Sequence, residues 1–119
     1  MAIGNQATAI GGRNTIALGV ESSALADTSM VIGYQAKVDR SAKNGMAIGQ
    51  GAEATDRSYA SVAIGKGAVV NGSYSAVLGY SSYAKGLESL AIGSYASAPG
   101  NYGVATGNKS ISIGFGNTV

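Results

Sequence analysis

A short phrase that ends in glycine returns along the whole chain, and its spacing restricts the fold more than any other feature. The letters MAIG end at Gly49, and sixteen residues later the letters VAIG end at Gly65. The glycine recurs in steps of 14 to 16 residues, at Gly4, Gly19, Gly33, Gly49, Gly65, Gly79, Gly93 and Gly107. Such a short and nearly constant period predicts a repeat protein in which each unit is one coil stacked on the next.

Two columns of small residues follow this glycine. The third position holds Ala or Ser, at Ala7, Ser22, Ala36, Ala52, Ala68, Ser82, Ala96 and Ser110. The fifth position holds Ala, Val or Ser, at Ala9, Ala24, Val38, Ala54, Val70, Ala84, Ala98 and Ser112. Polar residues such as Gln6 and Thr8 lie beside them, and this alternation predicts a short strand with one solvated face.

A second strand is predicted immediately before each glycine, where a small residue lies between two large apolar ones. A strand that is apolar on both faces is typically covered on both sides. We expect these large residues to form the core or a contact between subunits: Ile16, Leu18, Met30, Ile32, Met46, Ile48, Val62, Ile64, Leu78, Leu90 and Ile92. Each coil is then strand, turn, strand, turn, and at the second turn Gly72, Gly86 and Gly100 are expected to supply a positive φ.

The kinds of apolar residue argue against an ordinary globular core. The hydrophobic fraction is 45%, but the chain has 19 Gly, one Phe and no Trp, so a compact domain of the usual kind would be under-packed. We therefore predict one all-β domain over residues 1–119, a parallel β-roll (solenoid) of about eight coils of 14–16 residues. Stacked at the spacing of paired strands, these coils make a rod roughly 40 Å long.

A thin roll cannot bury the large apolar set by itself. The remaining stripe is longer than the apolar patches that soluble monomers expose, so it predicts cyclic self-association around an axis parallel to the rod. We expect the small residues inside each roll and the large ones on the shared axis. The alternation of residues alone leaves the opposite orientation open.

The segments MAIGQGAEA, VAIGKGAVV and LAIGSYASA resemble the head repeats of trimeric autotransporter adhesins, the family typified by the Yersinia adhesin YadA. The resemblance extends from Ala2 to Gly114. It implies a left-handed parallel β-roll, a homotrimer on the bacterial cell surface, and binding to host matrix proteins (collagen, fibronectin, laminin) or to host cells. The family's neck, stalk and outer-membrane anchor are not recognised here, so we expect a head fragment anchored through regions absent from this chain.

Residues that carry chemistry are scarce. His and Cys are absent, which removes the usual general base and thiolate chemistry. The six carboxylates are dispersed without the spacing of a glycosidase pair or a calcium loop. We therefore predict no enzyme activity, no metal and no cofactor.

Charge and hydropathy exclude two further classes of partner. The net charge is +2 and the basic residues do not cluster, which argues against nucleic-acid binding. No stretch of about 18 apolar residues occurs, so no direct membrane insertion by this chain is expected.

Two coils are longer than their neighbours, and their extra residues must bulge within residues 39–44 and 55–60. Insertions in solenoids often form a binding face. The alternative is that Asp39, Arg40, Asp56 and Arg57 form an ion-pair ladder that fixes register. Tyrosine is the second candidate feature, since five of the seven lie from Tyr74 onward, where they either recognise a ligand or cover neighbouring coils. The candidate ligand surface is Arg40, Lys43, Asp56, Arg57, Tyr59, Tyr83 and Tyr95.

Two functions of different classes follow from these predictions. The first is an adhesin head whose many weak contacts are multiplied by assembly. The second is a structural spacer, or a phage tail-fibre segment, with no ligand of its own, because similar repeats also occur in phage fibres.

Overall fold

The computed structural model describes residues 1–113, which form two parallel β-sheets and no helix. The predicted domain and repeat region run beyond this point, so Gly114 and the rest of residues 114–119 lie outside the described residues. The strands in chain order are β1 (Ala2–Ile3), β2 (Thr8–Ala9), β3 (Ile16–Leu18), β4 (Ser23–Ala24), β5 (Met30–Ile32), β6 (Lys37–Val38), β7 (Met46–Ile48), β8 (Glu53–Ala54), β9 (Val62–Ile64), β10 (Val69–Val70), β11 (Ala76–Leu78), β12 (Tyr83–Ala84), β13 (Leu90–Ile92), β14 (Ser97–Ala98) and β15 (Val104–Thr106).

The chain alternates between the two sheets at every strand. The odd-numbered strands form sheet A, the even-numbered strands form sheet B, and each strand pairs in parallel with the equivalent strand of the next coil. In this register Ile48 lies over Ile64 and Met46 over Val62. The stacked coils extend 39 Å along the longest axis. The predicted all-β solenoid of about eight coils is therefore confirmed.

The interior of the roll is made of small side chains. In sheet A the middle residue of each three-residue strand is buried, for example Ala47, Ala63 and Val77. The small residues after each glycine, such as Ala52 and Ala54, are buried against them. The large residues that flank the middle position are half-buried or exposed. Small residues thus point inward and large ones outward, which is the orientation that we preferred from the sequence.

The repeated glycine is required by close backbone approach as well as by conformation. Gly65 has φ +131°, and a Cβ added to it would lie 2.4 Å from the carbonyl oxygen of Gly79. The amide of Ala68 donates to the Gly65 carbonyl at 3.2 Å and closes the first turn of the coil. The added Cβ would meet the backbone of the next coil, which cannot move aside. Only glycine therefore fits at this position.

The second turn corrects one prediction. Gly72, Gly86 and Gly100 do not have positive φ; the left-handed residues in these turns are Tyr74 and Glu88, at φ 57° and 52°, and Tyr102. Gly72 and Gly86 are glycines because a side chain would clash with the next coil. A Cβ on Gly72 would lie 1.9 Å from the Gly86 carbonyl oxygen, and one on Gly86 would lie 2.0 Å from the Gly100 carbonyl oxygen.

Serine hydroxyls satisfy the carbonyls at these buried corners. Ser61 Oγ donates to the Ser58 carbonyl at 2.6 Å, and Ser89 Oγ donates to the Gly86 carbonyl at 2.6 Å. Within residues 1–113, no buried side-chain nitrogen or oxygen is left without a hydrogen-bond partner. A core of Ala and Ser therefore has no uncompensated polar groups to destabilise it.

The glycine column predicts a difference between two Gly→Ala substitutions. Gly65→Ala should destabilise the roll by about 3 kcal/mol, because a strained φ is combined with a backbone clash. Gly51→Ala is the matched control. Gly51 has φ +68°, and an added Cβ meets nothing within 4 Å. This substitution should therefore lower the free energy of unfolding by only about 1 kcal/mol, which is the cost of the left-handed conformation. Urea unfolding at one fixed protein concentration measures both. Equal losses for the two variants would contradict this account of the glycine column.

Candidate functional site

The outer face of sheet A carries two parallel columns of large apolar side chains, which we call the apolar stripe. It runs along β3 to β13 and contains Ile16, Leu18, Met30, Ile32, Met46, Ile48, Val62, Ile64, Leu78, Leu90 and Ile92. Leu78 is 49% exposed, and Ile32 and Ile92 are each 36% exposed. The stripe continues from coil to coil, although the small Ala76 takes the place of a large residue between Val62 and Leu90. A single chain therefore leaves a long apolar surface facing solvent.

The two inserted segments form extra turns on one edge of the roll, between a strand of sheet B and the next strand of sheet A. The Ala42 amide donates to the Asp39 carbonyl at 3.0 Å, and the Ser58 amide donates to the Thr55 carbonyl at 3.0 Å. The middle residues of these turns are exposed, including Arg40 and Arg57. The predicted position of both bulges is confirmed.

The ion-pair ladder that was the alternative for these turns does not form among the described residues. The ion pair of residues 1–113 joins Lys37 Nζ to Asp39 Oδ1 at 3.0 Å, and the hydrogen bond that Lys37 donates to Asp39 is the main reason that the pKa of Lys37 lies above its ordinary value. Within the same part of the chain, Arg40, Asp56 and Arg57 have no oppositely charged partner within 4 Å. Their charges are therefore available at the surface.

The tyrosines pack on one another along the edges and remain exposed. Tyr59 and Tyr74, on neighbouring coils, meet edge-on with ring centroids 5.6 Å apart, and Tyr80 and Tyr95 do so at 5.4 Å. All four rings are at least 41% exposed. Each pair therefore covers a coil junction and also presents an aromatic surface.

The structure brings together some of the predicted ligand-surface residues and separates others. Arg40 and Lys43 lie on one coil, and Asp56, Arg57 and Tyr59 lie at the same edge of the next coil. Tyr83 is on the outer face of sheet B, in β12. Tyr95 belongs to the turn that leads from sheet A to sheet B, at the opposite edge. The seven residues are thus spread over three surfaces, with five of them on one edge.

A surface recess of about 410 Å³ lies beneath the first inserted turn and was not predicted from the sequence. It is lined by Ile10, Gly11, Leu25, Asp27, Arg40 and Lys43. The signal that could have revealed it is the change of coil length: the glycine steps on the N-terminal side are 15 and 14 residues, and the following step is 16. The longer coil therefore overhangs its shorter neighbours.

Residues 1–113 contain no group of three or more His, Cys, Asp or Glu side chains placed to hold a metal ion. A helix long and apolar enough to cross a membrane is likewise not found in the described part of the chain.

The stacked coils, the glycine column and the outward apolar stripe define a fibrous β-solenoid built from head-type repeats. The family model for the YadA head domain repeat (2 copies) matches residues 11–36, 41–57, 59–82 and 84–110. These segments cover most of the chain, so the chain belongs to the YadA head-repeat family, whose members are heads of cell-surface adhesins. A search of the curated proteins finds no match to this chain.

The contact between Tyr80 and Tyr95 predicts a raised pKa for Tyr95. Hydrogen bonding to Tyr80 is the main cause that raises the pKa of Tyr95 above the ordinary value of 10.0. Tyr80→Phe should lower the pKa of Tyr95 toward that value, measured by NMR titration of ring carbon-13 signals. Tyr34→Phe, on the same edge and several coils away, is the control and should leave it unchanged. A Tyr95 titration that is unaffected by Tyr80→Phe would contradict the contact.

Proposed function

We propose that the chain is the head of a homotrimeric adhesin on the bacterial outer surface, which binds host matrix proteins or host cells and acts by binding rather than by catalysis. The observation that carries the proposal is the apolar stripe that runs along a roll of this family. It supplies the surface for assembly, while the inserted turns supply the surface for binding.

The trimer is supported by the energetics of the stripe. Covering a half-exposed side chain such as Leu78 contributes about 1 kcal/mol, and the less exposed Ile32 and Ile92 on other coils add smaller amounts. A cyclic arrangement with the axis parallel to the roll covers the stripe of every chain equally. A straight stripe along a 39 Å rod suits this geometry.

Binding is proposed to be distributed over the edge that carries the inserted turns. Arg40 and Arg57 project there as unpaired charges, beside the exposed Tyr59 and Tyr74. Assembly would present this edge three times at the same height. Each contact can then be weak, since simultaneous engagement multiplies the affinity without any new contact.

One observation favours a rigid spacer as the second candidate. Backbone hydrogen bonds between coils continue from the first coil to the last, such as Gly65 amide to Ile48 carbonyl at 2.8 Å and Gly93 amide to Leu78 carbonyl at 2.9 Å. A rod held in this way can display a separate tip without binding anything itself.

Assembly is tested by placing charge on the stripe. Ile48→Asp together with Ile64→Asp should convert trimers to monomers or prevent folding, because six carboxylates would meet at the axis of a trimer. Size-exclusion chromatography with light scattering measures the mass, and circular dichroism measures folding.

The matched control is Val69→Asp, which places a carboxylate on the outer face of sheet B, beside Glu53 and Tyr83. This variant should remain trimeric. Trimers that survive both stripe substitutions would contradict the assignment of the stripe to the shared axis.

Ligand binding is tested by solid-phase assay of the purified chain on collagen, fibronectin and laminin, and on cultured cells. We expect saturable binding to at least one of them, reduced at least about tenfold when the assembly is broken, because avidity is lost. Binding to none of these surfaces would contradict the adhesin proposal and favour the spacer.

A further inference from the structure

The recess beneath the first inserted turn combines an apolar floor with a charged wall. Ile10 and Leu25 form the floor on the outer face of sheet B, directly after β2 and β4. Ile10 is 61% exposed, and Leu25 is half-buried. Arg40 and Lys43 stand on the longer coil above, and Asp27 stands at the turn between the floor and Lys43.

The charges around this recess are unbalanced. Within residues 1–113, neither Arg40 nor Lys43 has a carboxylate within 4 Å. Asp27 is already engaged, since its Oδ1 accepts the Arg13 amide at 2.6 Å. Among the described residues, Arg40 and Lys43 are thus the two cations that line the recess without an acidic partner. An anion that reaches the wall therefore meets two unpaired donors.

We propose that this recess binds an acidic peptide segment, in which an Asp or Glu side chain lies next to an aliphatic one. The carboxylate pairs with Arg40 and Lys43, and the aliphatic side chain covers Ile10 and Leu25. Asp27 Oδ2 can accept an N–H of the bound peptide. This inference rests on the proposed function, because it identifies the kind of ligand group that one part of the adhesin surface recognises.

The recess fits a peptide better than a sulfated sugar. Its floor is aliphatic, and the Tyr59 and Tyr74 rings that a sugar could stack on are not among its lining residues. The Asp27 carboxylate can accept a peptide N–H, a donor that every peptide segment supplies. The floor lies on sheet B, and the apolar stripe lies on sheet A, so covering the stripe in a trimer leaves the recess open.

The length of the coils explains why the recess lies beneath the first inserted turn. The second inserted turn, in the coil after β8, follows a coil of equal length, since both glycine steps are 16 residues. It therefore has no shorter coil directly beneath it. The step from short to long coils creates the overhang, and Arg40 and Lys43 are the cations placed at that step.

The test uses the full chain and a blocked, fluorescein-labelled peptide of sequence Gly-Leu-Glu-Asp-Leu-Gly, with Gly-Leu-Gln-Asn-Leu-Gly as the uncharged counterpart. Fluorescence anisotropy at about 0.15 M salt should show binding of the acidic peptide and at least about tenfold weaker binding of the neutral one, as expected for charge-assisted hydrogen bonds.

Two double variants remove the same net charge, one within the recess and one at the opposite edge of the roll. Arg40→Gln with Lys43→Gln should weaken binding of the acidic peptide at least about tenfold. Lys66→Gln with Lys109→Gln removes two exposed cations at the opposite edge and should change it less than about twofold, since exposed charges at that distance are screened.

Three results would overturn the inference. These are no binding of the acidic peptide, an equal loss in both double variants, and tighter binding of a heparin-derived oligosaccharide that needs Arg40 and Lys43. The same variants in the matrix-binding assay separate the two proposals. Peptide binding without matrix binding would overturn only the adhesin function, whereas matrix binding without peptide binding would overturn only the recess.

Discussion

Backbone hydrogen bonding between successive coils is the constraint on which the rest of the structure depends. The Gly79 amide donates to the Ile64 carbonyl at 2.9 Å, and equivalent bonds join every pair of neighbouring coils. Two short strands joined by tight turns bring the two sheets so close that Ala, Ser and Val fill the interior. The large Ile, Leu and Met side chains of the odd-numbered strands have no place inside, so they lie on the outer face of sheet A.

The sequence predicted the coils because each column of the repeat has a physical reason to hold one kind of residue. Ala63 and Ala68 are small because they fill a thin core, and Gly65 is glycine because the next coil's carbonyl passes close to it. The error over Gly72 and Gly86 has the same origin. A glycine that is needed for close approach looks identical in sequence to one needed for positive φ, and the left-handed residues Tyr74 and Glu88 give no compositional signal.

The candidate binding surface was harder to predict, because the recess depends on the difference in length between neighbouring coils and not on the sequence of a single coil. Counting residues located both inserted turns, but Ile10 and Leu25 read as ordinary outer positions of their own strands. They become the floor of a recess only because a longer coil lies above them. Conversely, Tyr83 and Tyr95 were grouped with the inserted turns by residue type, whereas their strands place them on other faces.

We propose that copies of the same chain cover the outward apolar stripe. Sedimentation equilibrium of the unmodified chain tests it most directly, because the chain mass is 11.7 kDa and three chains give about 35 kDa. We expect that trimer mass at micromolar concentration, with little dependence on salt, since the contact is apolar. A folded monomer that is stable at the same concentration, with its stripe in water, would contradict it.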